Sequence, residues 1–241
     1  MFYGYYGYNG LSWLLLLAAI VLATVAQIKV SSTYSKYSKV YSRSQRPAAD
    51  VARQILASNG LGSIPIQQVE GNLTDHYDPR SKTLRLSRSV YGSPSVAALG
   101  VAAHEAGHAM QDAEGYLPLK IRNSLVPVAQ FGSHASWVLI ILGFFMGALG
   151  LVQLGIILFS IVVVFQIATL PVEFNASSRA LAALEGGGYL DGGEIQQTKR
   201  VLSAAAFTYV AAVLVSLLQL LRLLLIFGGR RDFTSGSPCS L

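Results

Sequence analysis

The chain has 241 residues, of which 52% are hydrophobic and only 12% charged, with a formal net charge of +6. Soluble domains carry about 25% charged residues, so the composition argues for membrane spans and against an ordinary soluble globule. The basic residues lie beside apolar runs, which fits lysines and arginines gathered on the cytoplasmic side of a membrane better than a nucleic-acid binder.

The opening "MFYGYYGYNG" is uncharged, so it lacks the basic start of a signal peptide, and its tyrosines suit a membrane interface. "LSWLLLLAAIVLATVAQI", Leu11 to Ile28, is long enough to cross a bilayer as a helix. Residues 29–122 carry twelve of the eighteen basic residues, which places them in the cytoplasm and the N-terminus outside. Within them a helix is expected from Pro47 to Gly60, with Val51, Ile55 and Leu56 on its apolar face. "DPRS" reads as a turn that places His76 in a loop, and Leu84 and Leu86 alternate with Arg85 and Ser87 as in an exposed strand. Ser93 as N-cap, Pro94 as first residue and Gly115 as stop then delimit a helix containing "VAAHEAGHAMQ".

His134 to Leu170 is an uncharged run of 37 residues. One straight helix of that length would measure about 55 Å against a hydrocarbon core of about 30 Å, so two spans turning near Gly147 to Gly150 are expected. "FNASSRALAAL" has a helical pattern, "EGGGYLDGG" breaks it, and "EIQQTKRVL" starts another helix. Ala204 to Phe227 is a last span, with Arg222 placed to snorkel near its end. Basic residues flank this span on both sides and leave its orientation open. The tail "RRDFTSGSPCSL" reads as disordered. It holds the only cysteine, Cys239, which excludes an intrachain disulfide and does not fit a C-terminal prenylation box.

The chemistry lies in His104-Glu105-Ala106-Gly107-His108. Residues four apart lie one turn apart on one helix face, so both imidazoles can meet one metal ion. Glu105 is rotated by about 100° and flanks that site without ligating, where it can accept a proton from a water attacking a carbonyl. Imidazole donors suit zinc, and a catalytic zinc keeps an open position beside three protein ligands. Glu173, at the start of a helical pattern after the apolar run, is the best source of the third ligand, with His76 and His134 as alternatives. His108 and Glu173 can share an ion only if an even number of spans separates them, and the length of the uncharged run gives two. Arg179 could stabilise an oxyanion, but an ion pair is the commoner use of such a residue.

Four ordered stretches, "DHYDPRSKTLRLSRSVY", "HEAGHAMQ", "LKIRNSLVPVAQFGS" and "LPVEFNASSRALAAL", together resemble the YugP-type membrane zinc metallopeptidases of bacteria. The arrangement is more distantly similar to HtpX and the CAAX-prenyl endopeptidases. In that wider group an E-x-x-A-D pattern completes the zinc site; Ser177 stands here in place of its Asp. The resemblance implies a gluzincin-like peptidase of a bacterial cell membrane, with His104, His108 and Glu173 as ligands of one zinc per chain and Glu105 as general base. It also suggests that the strand around Leu84 to Ser87 aligns a peptide by edge pairing.

The expected fold is mainly α: a polytopic membrane protein with about four spans and a small gluzincin-type cytoplasmic domain. Its parts are 1–30 with the first span, 31–133 with the metal-binding helix, the hairpin 134–170, the second part of the zinc domain 171–203, the last span 204–228, and the tail 229–241. The expected function is endopeptidase cleavage of membrane-associated proteins or peptides, with the lipid bilayer, the substrate and further copies or membrane proteins as candidate partners, and no nucleic acid. A non-catalytic scaffold or regulatory subunit with a structural or vestigial zinc site is the alternative. A metal transporter fits less well, because apart from Arg222 the spans carry no ionisable group.

Overall fold

The computed structural model describes residues 3–228, with side chains from residue 10 onwards. Met1, Phe2 and the tail 229–241 with Cys239 lie outside the described residues. In chain order the elements are α1 (Tyr3–Tyr37), α2 (Ala48–Ser58), β1 (Ile66–Val69), β2 (His76–Asp78), β3 (Thr83–Ser87), α3 (Arg88–Tyr91), α4 (Val96–Ala113), α5 (Leu117–Phe145), α6 (Leu149–Gly186) and α7 (Gly192–Phe227). The protein is mainly α-helical and polytopic: α1 from Gly10, α5, α6 and α7 are long and apolar enough to cross a membrane. The chain divides into two compact units.

One unit comprises Ala26–Ser124 and Ala168–Tyr209. Its core is apolar because the periodicities of α2, α4 and β3 converge. Val51, Ile55 and Leu56 of α2, Leu99 of α4 and Leu84 and Leu86 of β3 are all buried. Gly60 takes a left-handed φ of 74° just after α2, as expected for its end. Along α4, Ala98, Ala102, Ala103 and Ala106 are fully buried, so neighbouring elements pack close to its backbone.

The sheet order is β1-β3-β2, with β1 parallel and β2 antiparallel to β3. Ile66 stands opposite Leu84, and His76 opposite Arg85, so His76 lies in a strand and not in a loop. The "DPRS" turn joins β2 to β3; Asp78 accepts from the Arg80 N–H at 2.9 Å and the Ser81 hydroxyl at 2.7 Å. Two expectations are corrected here. Leu84 and Leu86 do not belong to an exposed strand, since both are fully buried. Nor can β3 pair with a peptide, because β1 and β2 occupy its two edges. Alternation marks one face as apolar, but it does not tell whether the strand is central or at the rim.

The helix carrying the histidines starts later than its sequence suggests. Its N-cap is Ser95, whose hydroxyl accepts from the Ala98 N–H at 3.2 Å. The carbonyls of Ser93 and Pro94 are taken by the N–H groups of Ala48 (3.0 Å) and Ser42 (2.9 Å), which holds these residues in an extended connection before the helix. Gly115, with φ 68°, follows the end of α4.

The other unit comprises, among the described residues, 3–25, 125–167 and 210–228. Here α5 and α6 form a hairpin turning at Met146–Ala148, where Gly147 has φ 66°. The helices approach closely at two glycines. A Cβ on Gly143 would lie 2.8 Å from the Val152 nitrogen, and one on Gly155 would lie 2.8 Å from the Ser136 carbonyl oxygen. Ile140, Val152, Phe159, Val163, Leu223 and Phe227 form an apolar cluster. Polar groups are paired, as an apolar surrounding demands: Arg222 Nε donates to Ser12 at 3.0 Å, and the Ser216 hydroxyl donates to Gln166 at 2.7 Å.

The central position of β3 makes a quantitative prediction. Leu86→Ala should destabilise the detergent-solubilised protein by about 2–5 kcal/mol in denaturant unfolding, whereas a solvent-facing strand residue would change stability by less than about 0.5 kcal/mol.

Candidate metal centre

His104, Glu105, His108 and Gln111 lie on α4; Glu173, Asn175 and Ser177 lie on α6. What lets α6 come near is Gly107. A Cβ at this position would stand 2.7 Å from the Ala176 carbonyl oxygen, so the α6 backbone packs directly on the glycine. His104 lies three residues before that contact and His108 directly after it, and here the two imidazoles of α4 meet the carboxylate of α6. Glu173 Oε2 is 3.3 Å from His104 Nε2 and 3.8 Å from His108 Nε2. The rings stand edge to face, 4.7 Å between centroids. One ligating atom from each of His104, His108 and Glu173 lies within 4.8 Å of the others.

The outer ring nitrogens are held as well. His108 Nδ1 is 3.0 Å from Gln111 Oε1. The Gln111 amide nitrogen donates to the Val172 carbonyl at 2.8 Å and to Asn175 Oδ1 at 2.9 Å, which turns its oxygen towards the imidazole. An amide oxygen only accepts, so His108 Nδ1 carries a proton towards Gln111 and Nε2 faces the centre. His104 Nδ1 is 3.1 Å from the Ser177 hydroxyl, which again leaves Nε2 facing Glu173. Ser177 therefore occupies the orienting place for which the wider group's pattern has Asp.

Glu105 is tied to the sheet: its Oε2 accepts the Tyr77 N–H of β2 at 3.0 Å. The Tyr77 hydroxyl donates to Asp112 at 2.8 Å, and Lys82 pairs with the same carboxylate, so β2 is fastened along α4 at two points. Burial and the Asp112 carboxylate push the Tyr77 phenol well above its usual range. Burial also raises the Asp75 carboxyl, against the pull of the Ser87 N–H and hydroxyl. His108 is a balance of opposites. Burial disfavours its charged form, but Glu173 and then Glu105 outweigh burial and raise its pKa.

These groups line a cavity of about 140 Å³ together with Arg122 and Tyr209. It is large enough for an ion and a few waters. Arg122 Nε is buried there without a hydrogen-bond partner among the described residues.

The structure thus brings together His104, Glu105, His108 and Glu173. It does not add the alternatives as ligands. His76 stands at the cavity rim with Nδ1 2.8 Å from the Thr74 carbonyl oxygen, and His134 Nδ1 is 3.0 Å from its own helix's Gln130 carbonyl oxygen. Arg179 forms a two-pronged ion pair with Glu114, at 2.6 and 2.7 Å. Gln111 and Ser177 were readable at helical spacing, three after His108 and four after Glu173. Arg122 and Tyr209 come from distant segments, and no spacing marks them.

Residues 12–228 match the family described as "Putative neutral zinc metallopeptidase". The chain belongs to this family. It is also 50% identical over 194 residues to "Putative membrane protease YugP" of Bacillus subtilis (strain 168), an alignment covering 80% of this chain and 86% of that protein. No solved structure matches it. The resemblance drawn from the four motifs is therefore correct. The zinc that the family description implies also fits the donors found here: two imidazoles and one buried carboxylate leave a fourth position open.

If Gln111 and Ser177 orient the imidazoles, Gln111→Ala and Ser177→Ala should each weaken zinc binding about 10–100-fold in chelator competition. His76→Ala should leave the affinity unchanged. Gly107→Ala should weaken it without removing any donor, because its methyl group displaces Ala176.

Proposed function

We propose that this protein is a membrane-embedded zinc endopeptidase that hydrolyses peptide bonds of membrane-associated proteins or peptides, with its site on the cytoplasmic side. The observation that carries the reading is the convergence of His104, His108 and Glu173 from two helices beside the non-ligating carboxylate of Glu105. A purely structural ion has no use for such a carboxylate. The cytoplasmic assignment is supported by the basic residues of 29–122, and the name of the similar Bacillus protein, a membrane protease, agrees with the activity.

In this reading His104, His108 and Glu173 hold one zinc. The ion supplies the positive charge that acidifies water and polarises a peptide carbonyl. Glu105 takes the proton of the attacking water and delivers it to the leaving amine. Its carboxylate is kept in place by the Tyr77 N–H. Arg122 and Tyr209 line the same cavity and offer donors to the carbonyl oxygen as charge develops on it. The peptide lies along the rim beside β2, whose outer edge has no β partner among the described residues.

The first experiment is the zinc content of detergent-purified protein, measured by plasma mass spectrometry. Wild type and Glu105→Gln should each retain about one zinc per chain, and Glu173→Ala clearly less. Cleavage of unfolded casein should fall at least about 100-fold in Glu105→Gln. A wild type that takes up no zinc after reconstitution would overturn the peptidase reading and leave the scaffold. Zinc held equally by Glu173→Ala would move the third ligand elsewhere.

A further inference from the structure

A second cavity, of about 620 Å³, opens between α1 and α7 and shares no lining residue with the metal centre. Lys29 and Lys36 of α1 and Lys199 and Arg200 of α7 line it, and no carboxylate does. None of these four cations forms a salt bridge among the described residues. Their nearest polar and aromatic contacts are neutral. Arg200 Nη1 is 3.2 Å from the Tyr37 hydroxyl, Lys29 Nζ lies 4.5 Å from the centre of the Phe207 ring, and Lys36 Nζ lies 5.4 Å from that of Tyr37. Four like charges facing one cleft repel one another unless an anion lies between them.

The two helices also fix the depth of the cleft. The uncharged stretch of α1 ends at Lys29. That of α7 begins after Arg200 and continues without a charge to Leu221. Lys29 and Arg200 therefore each stand at the end of an apolar run, the level at which lipid phosphates lie. Basic pockets between transmembrane helices suit anionic headgroups.

We propose that the cleft between α1 and α7 binds the headgroup of an anionic phospholipid, its phosphate held by Lys29, Lys36, Lys199 and Arg200. The acyl chains then follow the apolar runs of the two helices. This binding does not depend on the peptidase reading, since neither zinc nor Glu105 takes part.

The test is native mass spectrometry of the detergent-solubilised chain with added phosphatidylglycerol or phosphatidylcholine. Wild type should bind at least one phosphatidylglycerol about tenfold more tightly than phosphatidylcholine. The variant Lys29→Gln/Lys36→Gln/Lys199→Gln/Arg200→Gln should lose that preference. A control with the same loss of charge, Arg46→Gln/Arg53→Gln/Arg80→Gln/Arg88→Gln, should keep it. Single variants Lys199→Gln and Arg200→Gln, each still helical by circular dichroism, should show intermediate preference. Equal binding of the two lipids by wild type would overturn the proposal without any variant. Equal loss in the cleft and control variants would overturn it in favour of diffuse attraction by net charge. Displacement of phosphatidylglycerol by millimolar inorganic phosphate, itself retained in the cleft, would overturn the lipid in favour of a free anion.

Discussion

The separation of α4 and α6 decides whether three side chains can share one ion. Gly107 presents no Cβ, and the Ala176 carbonyl occupies the space it leaves. At this distance the short reach of a glutamate is enough for Glu173 to meet both imidazoles. A larger residue at Gly107 would push the helices apart by a fraction of an ångström, a substantial error for ligands that must sit about 2 Å from a zinc ion. The fully buried alanines of α4 let other elements pack close along the rest of the helix.

Burying Glu173, which is 3% exposed, requires a partner for its charge. The two imidazoles provide one, and their own outer nitrogens are tied to Gln111 and Ser177. Gln111 continues the chain of contacts back to α6 through Val172 and Asn175. The centre is therefore a closed network in which each helix positions the other's ligands. Glu105 belongs to a different contact, with the backbone of β2. The Glu105 carboxylate is thus oriented by β2 and the two imidazoles of the same helix by contacts to α6.

The apolar hairpin has a consequence for the site that goes beyond anchoring. Between His108 and Glu173 the chain runs through two helices long and apolar enough to span a bilayer. An even number of crossings returns the chain to the side it left, so ligands distant in sequence can meet. The tight glycine contacts at Gly143 and Gly155 allow the two helices to pair along their length. In α6 the uncharged stretch and Glu173 belong to one continuous helix.

The sequence by itself determined the local and the collective features. A histidine pair at one helical turn, an adjacent glutamate, uncharged runs of membrane length and the turn at Gly147 depend on spacing and composition, which any reader of the chain can see. The meeting of Glu173 with the histidines was also within reach, because the uncharged run between them has the length of two spans. The tertiary structure alone decided what depends on neighbours. Ser95 caps α4 in place of Ser93 because the Ser93 and Pro94 carbonyls are engaged by Ala48 at the start of α2 and by Ser42 before it. β3 is central because β1, earlier in the chain, pairs with its other edge. Arg122 and Tyr209 join the cavity from segments with no motif, and four cations from two helices share one cleft. Spacing records which residues share a face of one element, and only packing records which faces meet.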